Sequence, residues 1–180
     1  MRKITAHLFA SVDGVVDDPS VFQFDSFGER EGELMGRALS GVTGAVLGRV
    51  IYEQWADYWP KHNDDFGLVI NPIEKFVPST TLEGPLAWEN SKLIEGDLLD
   101  FVRELRGQDG GDVIVCGTSV IAQLLDADLL DALTLTVHPV FVGKGRRIFD
   151  ALEAPLRLEL LESESTPLGN AFLTYRRRQG

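Results

Sequence analysis

The sequence has a single cysteine, Cys116, which excludes an internal disulfide framework and a cysteine-built zinc module. Basic residues are in deficit. The 17 Lys+Arg against 28 Asp+Glu give a formal net charge of −11, opposite to the basic face that nucleic-acid binding needs. That deficit leaves room for a phosphorylated small ligand, because helix N-termini offer backbone N–H groups whatever the net charge. The three histidines, His7, His62 and His138, are scattered, and no pair has metal-ligand spacing, so no metal site is expected. No run approaches the ~18 apolar residues of a membrane helix. The N-terminus Met1-Arg2-Lys3-Ile4 enters an alternating pattern at once, without a signal-peptide core. These features lead us to expect a soluble, cytoplasmic protein with no membrane or nucleic-acid partner. No Gly-x-Ser-x-Gly elbow is present, which disfavours a hydrolase of that type.

What is present is ordinary globular material: 44% apolar and 25% charged residues over 180 positions, enough for one domain, residues 1–180, with its own core. The chain alternates strand and helix patterns, which predicts an α/β protein. Strands are expected at 4–10, 44–47, 75–79, 86–88, 112–116 and 132–138, with two more at 156–164 and 171–178. The last two flank Pro167-Leu168-Gly169-Asn170, the signature of a hairpin. Helices are expected at 29–39, 50–58, 64–70, 96–106 and from Gly117 to Leu125, with 15–28 as loop. Val113-Ile114-Val115 is continuously apolar, as in the middle of a parallel sheet. The sheet should therefore be mostly parallel and twisted, with flanking helices and an antiparallel C-terminal edge.

Three strand ends carry candidate chemistry. Val46-Leu47-Gly48-Arg49 and Val115-Cys116-Gly117-Thr118-Ser119 each run from a buried strand through glycine into a helix. Glycine admits a phosphate close to the backbone, the helix N-terminus favours an anion, and Arg49 adds a charged donor. Two such turns at the carboxyl ends of parallel strands make a dinucleotide crevice, although each alone also reads as an ordinary βα turn. At the third, Ser11-Val12-Asp13-Gly14, Asp13 either orients a substrate, donates a proton, or only forms the turn. Seven acids against Arg30 alone fill residues 13–33, mostly as a solvated face. Glu31 and Glu33 are the candidates to turn toward a pocket. Tyr52, Trp55, Tyr58 and Trp59 read as core or subunit interface, with pocket lining as the alternative, and Cys116 as a small buried hydrophobe.

The ordered set of segments resembles the dihydrofolate-reductase-like proteins. More closely, it resembles the reductase domain of the bifunctional riboflavin-biosynthesis deaminase/reductase and its stand-alone bacterial relatives. The set comprises Ser11-Val12-Asp13-Gly14, the run from Leu47 to Glu53, Tyr58-Trp59-Pro60, Lys75-Phe76-Val77-Pro78-Ser79, the run from Leu82 to Leu86, Trp88-Glu89-Asn90, Val115-Cys116-Gly117-Thr118 and His138 to Phe149. The resemblance implies a dihydrofolate-reductase-like sheet of roughly eight strands with NADPH, or NADH, across its carboxyl edge. By position it implies Gly48 and Arg49 at the phosphates, and Ser79 and Thr80 near the adenosine. Gly117, Thr118, Ser119 and Val120 would hold the pyrophosphate, with Ala10 at the nicotinamide. Asp13 and Glu31 or Glu33 would border the substrate. The implied activity resembles 5-amino-6-(5-phosphoribosylamino)uracil reductase: hydride transfer to a C=N or C=O carbon of a small heterocycle-bearing substrate, by a homodimer. The alternatives are a dihydrofolate- or pterin-type reductase, and a dimeric nucleotide-binding protein without turnover.

Two positions and one missing motif depart from the relatives. Thr80 stands where many carry an arginine, removing an obvious partner for a 2′-phosphate. Val15 stands where the riboflavin enzymes carry a lysine. The 180 residues hold no His-x-Glu with Pro-Cys-x-x-Cys, so deaminase chemistry is not expected of them.

Overall fold

The computed structural model describes residues 1–179 except 24, 149, 151 and 153; Phe24 of the expected loop and Phe149 at the end of the basic segment thus lie outside the described residues. The strands are β1 (Ile4–Ser11), β2 (Val42–Leu47), β3 (Glu74–Val77), β4 (Ser91–Leu93), β5 (Asp112–Cys116), β6 (Ala132–His138), β7 (Leu158–Ser165) and β8 (Ala171–Arg177). The helices are α1 (Ser20–Gln23), α2 (Glu29–Leu39), α3 (Arg49–Tyr58), α4 (Asp65–Ile70), α5 (Leu98–Gly107) and α6 (Thr118–Asp126), with a 3₁₀ turn at Trp59–Lys61. All eight strands form one sheet in the order β4-β3-β2-β5-β1-β6-β8-β7. The pairings from β4 through β6 are parallel, whereas β8 runs antiparallel to β6 and to β7.

Sequence alternation distributes the core over both sheet faces. On one face Ile4, Val46, Phe76, Val113, Val115 and Leu133 pack against Val102 and Leu105 of α5 and Ile121, Leu124 and Leu125 of α6. On the other, Ala45, Leu47, Val77, Ile114 and Cys116 meet Leu39 of α2, Tyr52 of α3 and Ile70 of α4. The second face changes character across β1, β6 and β8. There it carries His7, Phe9, Thr136, His138 and Phe172. Burying each fully enclosed aliphatic side chain is worth about 1.5–3 kcal/mol, so the helices are held mainly by these faces.

Two expectations are corrected. Residues 86–88 form no strand; the β4 strand follows at Ser91–Leu93. Trp88 is instead a buried plug. Its backbone N–H donates to the Tyr52 hydroxyl at 3.2 Å, its Nε1 to Asn71 Oδ1 at 3.2 Å, and Lys75 Nζ lies 4.5 Å from its ring. Only after Asn90, at φ +59, does the chain turn to pair with β3. The segment 15–28 is not wholly loop, because Ser20–Gln23 make one helical turn after Pro19. That turn buries Phe22 against His138.

Candidate active site at the carboxyl edge of the sheet

The connection leaving β1 moves toward the β4 edge, and the connection leaving its neighbour β5 moves toward the β7 edge. The carboxyl ends of β1 and β5 therefore flank a topological switch point, where open α/β sheets place ligands. Leu47 and Cys116 are register partners in β2 and β5, so Gly48 and Gly117 follow side by side. Gly48 N–H donates to Cys116 O at 2.8 Å. Gly117 has φ +110, and a Cβ there would lie 3.3 Å from Gly48 Cα, so only glycine lets the two turns touch.

Asp97 caps α5 through Leu99 N–H and Asp100 N–H, and Asp64 caps α4 through Gly67 N–H. Helix α2 starts at Gly28 without a side-chain cap, although Gly28 N–H itself goes to Glu31. Helices α3 and α6 likewise begin at Gly48 and Gly117 with no side-chain cap, and they alone of these starts lie side by side. The first-turn N–H groups of α3 and α6, with the positive ends of two helix dipoles, therefore start from adjacent turns. Of the residues expected there, Gly48, Arg49, Gly117, Thr118 and Ser119 come together. Val120 is buried, packed beside Gly48, so its side chain supports the turn. Arg49 lies half-exposed with its guanidinium 2.7 Å from Glu53. Ser79 follows β3 and closes a turn, its Oγ accepting from Thr81 N–H at 3.1 Å and Leu82 N–H at 2.9 Å; Thr80 is exposed on that turn. Ala10 is fully buried in β1, beside Val137 of β6.

Asp13 clasps two loops. Its carboxylate accepts from Ser11 Oγ at 2.7 Å, Val142 N–H at 3.0 Å and Gly143 N–H at 2.8 Å, with the Arg147 guanidinium 3.7 Å away. The Ser11 hydroxyl and then the Val142 amide hold its pKa down at about 2. A carboxylate so held orients the glycine-rich segment, and the same bonds favour its ionised form.

The two acids of α2 separate. Glu33 is exposed and paired with Arg30 at 2.6 Å, outside the crevice. Glu31 is buried, its Oε2 accepting from Gly28 N–H at 3.0 Å and its Oε1 from Asn170 Nδ2 at 2.8 Å. Burial pushes its pKa up, but hydrogen bonds from Thr166, Asn170 and backbone outweigh burial, and the carboxyl stays below its ordinary range. Glu31 thus fixes the β7–β8 hairpin residue Asn170 against α2. Beside it lies a group that sequence reasoning missed. His138 is fully buried, its Nδ1 2.7 Å from Ser26 Oγ, with Phe9 and Phe22 against its ring. His7 pairs with Thr136 Oγ1 at 2.7 Å, and burial, then His138, lowers its pKa to about 4. The alternation Thr134-Thr136-His138 along one face of an otherwise apolar strand was the available signal.

A mostly parallel eight-stranded sheet of this order, with an antiparallel edge, is an α/β fold of the dihydrofolate-reductase-like class. Residues 2–172 match the family described as the RibD C-terminal domain, and the chain belongs to that reductase-type family. The uncharacterised protein YyaP of Bacillus subtilis strain 168 is 24% identical over 144 residues, covering 76% of this chain and 75% of YyaP. A candidate riboflavin biosynthesis protein from Shewanella sp. PV-4 superposes with a TM-score of 0.78 at 23% identity, covering 98% of this chain and 99% of that one. Dihydrofolate reductase from Enterococcus faecalis, solved with NADP(H), superposes with a TM-score of 0.63 at 14% identity, over 98% and 97% of the two chains.

Proposed function

We propose that this protein is an NAD(P)H-dependent reductase, resembling 5-amino-6-(5-phosphoribosylamino)uracil reductase, that passes a hydride to a C=N or C=O carbon of a small heterocycle-bearing substrate. The observation that carries this reading is the contact between Gly48 and Gly117 at two uncapped helix N-termini. A cradle closed by any Cβ, lined by free N–H donors, fits the pyrophosphate of a dinucleotide. The nicotinamide, when bound, supplies the hydride. Arg49, Thr118 and Ser119 would add donors around the phosphates, and the turn at Ser79 and Thr80 would meet the adenosine. Ala10 and Ser11 would border the reacting end. Asp13 keeps the segment from Val140 to Arg147 against the end of β1, which bounds the substrate side and excludes water there. With Asp13 ionised, the proton that balances hydride addition comes from solvent or a substrate group, and Asp13 serves orientation. We further propose a cytoplasmic homodimer; the described residues contain no helix long and apolar enough to cross a membrane.

The test is a titration with NADPH and with NADH, followed by quenching of Trp55, Trp59 and Trp88, and then NADPH oxidation with the aminouracil substrate. Saturable binding with a constant in the range of roughly 1 μM to 1 mM and turnover is the expected result. Failure of both cofactors to bind removes the reading. Equal affinity for the two would trace to Thr80, which lacks a charge for the 2′-phosphate.

A further inference from the structure

Two phenylalanines among the described residues are exposed, Phe27 and Phe141, and both lie at the carboxyl edge of the sheet. Of the two, Phe27 rests on another ring. It is 39% exposed, and its ring stands 6.1 Å from that of Phe9 at an interplanar angle of 72°. In such a T-shaped pair at least one face of Phe27 is left uncovered by Phe9. Phe9 itself lies beside the two glycine turns. Ala6 pairs with Val115, so the same register sets Leu8 level with Gly117 and Phe9 one residue beyond it on the adjacent strand.

The helix that follows gives Phe27 no packing duty. Phe27 precedes Gly28, the N-terminal flank of α2, where an apolar residue ordinarily closes against the side chain four positions into the helix. That position is Gly32, which has no side chain. Gly32 also keeps a space open: it is half-buried, yet a Cβ there would meet nothing within 4 Å. The side of the helix on which this space lies follows from Arg30, which reaches Glu164 on the edge strand β7. Gly32 is two residues on, about 200° further round the helix, and so on the flank turned from β7 toward β1 and β5. Glycine inside a helix weakens it, a cost that an occupied space would explain.

We infer that Phe27 is a specificity-determining residue whose open ring face stacks on the planar heterocycle of the substrate, which enters the space kept free beside Gly32. The inference rests on the reductase reading and deepens it, by assigning the ring-binding end of the site that begins at the two glycine turns. Stacking recognises a π-face rather than a pattern of donors, so a uracil and a pterin are both admissible and a purely aliphatic carbonyl compound is not.

Three substitutions test this. Phe27→Leu keeps apolar bulk and removes the ring, and Phe27→Tyr restores an aromatic face. Gly32→Leu fills the open space with a residue that favours helix, so its thermal melt should be no lower than the parent's. With NADPH present, 5-amino-6-(5-phosphoribosylamino)uracil and dihydrofolate serve as probes. Phe27→Leu should weaken binding of the accepted probe about 3- to 10-fold, while Phe27→Tyr stays within about twofold. Gly32→Leu should weaken it about tenfold or more, with NADPH affinity unchanged in all three variants. The ring-proton resonances of Phe27, assigned by their loss in Phe27→Leu, should move as the probe is added and saturate with it. A bound probe that leaves those resonances in place, a Phe27→Leu or Gly32→Leu protein of parental affinity, or binding of neither probe to the NADPH-loaded protein overturns the inference. Backbone amide shifts at Gly48 and Gly117 report NADPH separately. Their absence removes the reductase reading and this inference with it, whereas their presence with any of those results removes this inference alone.

Discussion

Gly48→Ala separates the cofactor cradle from the stability of the fold. Gly48 has φ −55, an ordinary value for alanine. A Cβ there would lie 3.4 Å from Val120 Cγ2 and 3.5 Å from Cys116 O, which is van der Waals contact with little compression. Alanine also restricts the unfolded chain, a gain of about 0.4–1 kcal/mol that offsets the contact. The net change in stability should be under about 1 kcal/mol, or about 2–4 °C in Tm for a domain of this size. The methyl group nevertheless fills the seam between the two helix N-termini. If that seam holds the pyrophosphate, NADPH affinity falls about tenfold or more, a loss of ~1.4 kcal/mol or greater. Gly117→Ala is the contrasting case: at φ +110 and 3.3 Å from Gly48 Cα it should cost about 1–3 kcal/mol of stability and affinity together. Thermal melts read the first quantity and fluorescence titration the second. A Gly48→Ala protein that melts like the parent and binds NADPH equally well would refute the cradle.

Three other perturbations probe the surroundings. Because Asp13 is held near pKa 2 in the folded state against an ordinary 3.8, its contribution to stability is present above about pH 4 and lost as pH falls toward 2; Asp13→Asn should flatten that limb of the acid melt and speed hydrogen exchange at Val142 and Gly143. Lys75→Met should destabilise by about 2–4 kcal/mol in urea melts, because the buried Nζ serves the carbonyls of Asn71, Ile73 and Glu89 and methionine leaves all three unmatched. Burial pushes the Cys116 thiol up to about 12, so it should ignore thiol reagents in the native protein and react only on unfolding; fast native labelling would contradict the packing of β5.

The central sheet was legible because its signals are local and redundant. Val113-Ile114-Val115 is apolar at every position, and the residues after it supply glycine and then a helix. The glycine turns were visible for the same reason. Their contact was not, since the close approach of residues 48 and 117, which leaves no room for a Cβ on Gly117, depends on the register of Leu47 with Cys116. Residues 86–88 misled because Leu86 and Trp88 pack as a plug: the Tyr52 hydroxyl takes the Trp88 backbone N–H that a strand would have used, and Asn71 holds the indole. Glu31 and Glu33 are equivalent by composition. What separates them is Asn170, 139 positions beyond Glu31, and Arg30 beside Glu33. The His138–Ser26–Asn170 group joins a strand end, a loop and a hairpin turn, and no local pattern announces it.

Mapping NADPH onto the assigned amide spectrum tests the central claim most directly. The account predicts saturable shifts concentrated at Gly48, Arg49 and Val50 and at Gly117, Thr118 and Ser119, with the α5 amides unmoved. Binding that shifts other residues while these two turns stay silent, or no binding at all, would contradict it.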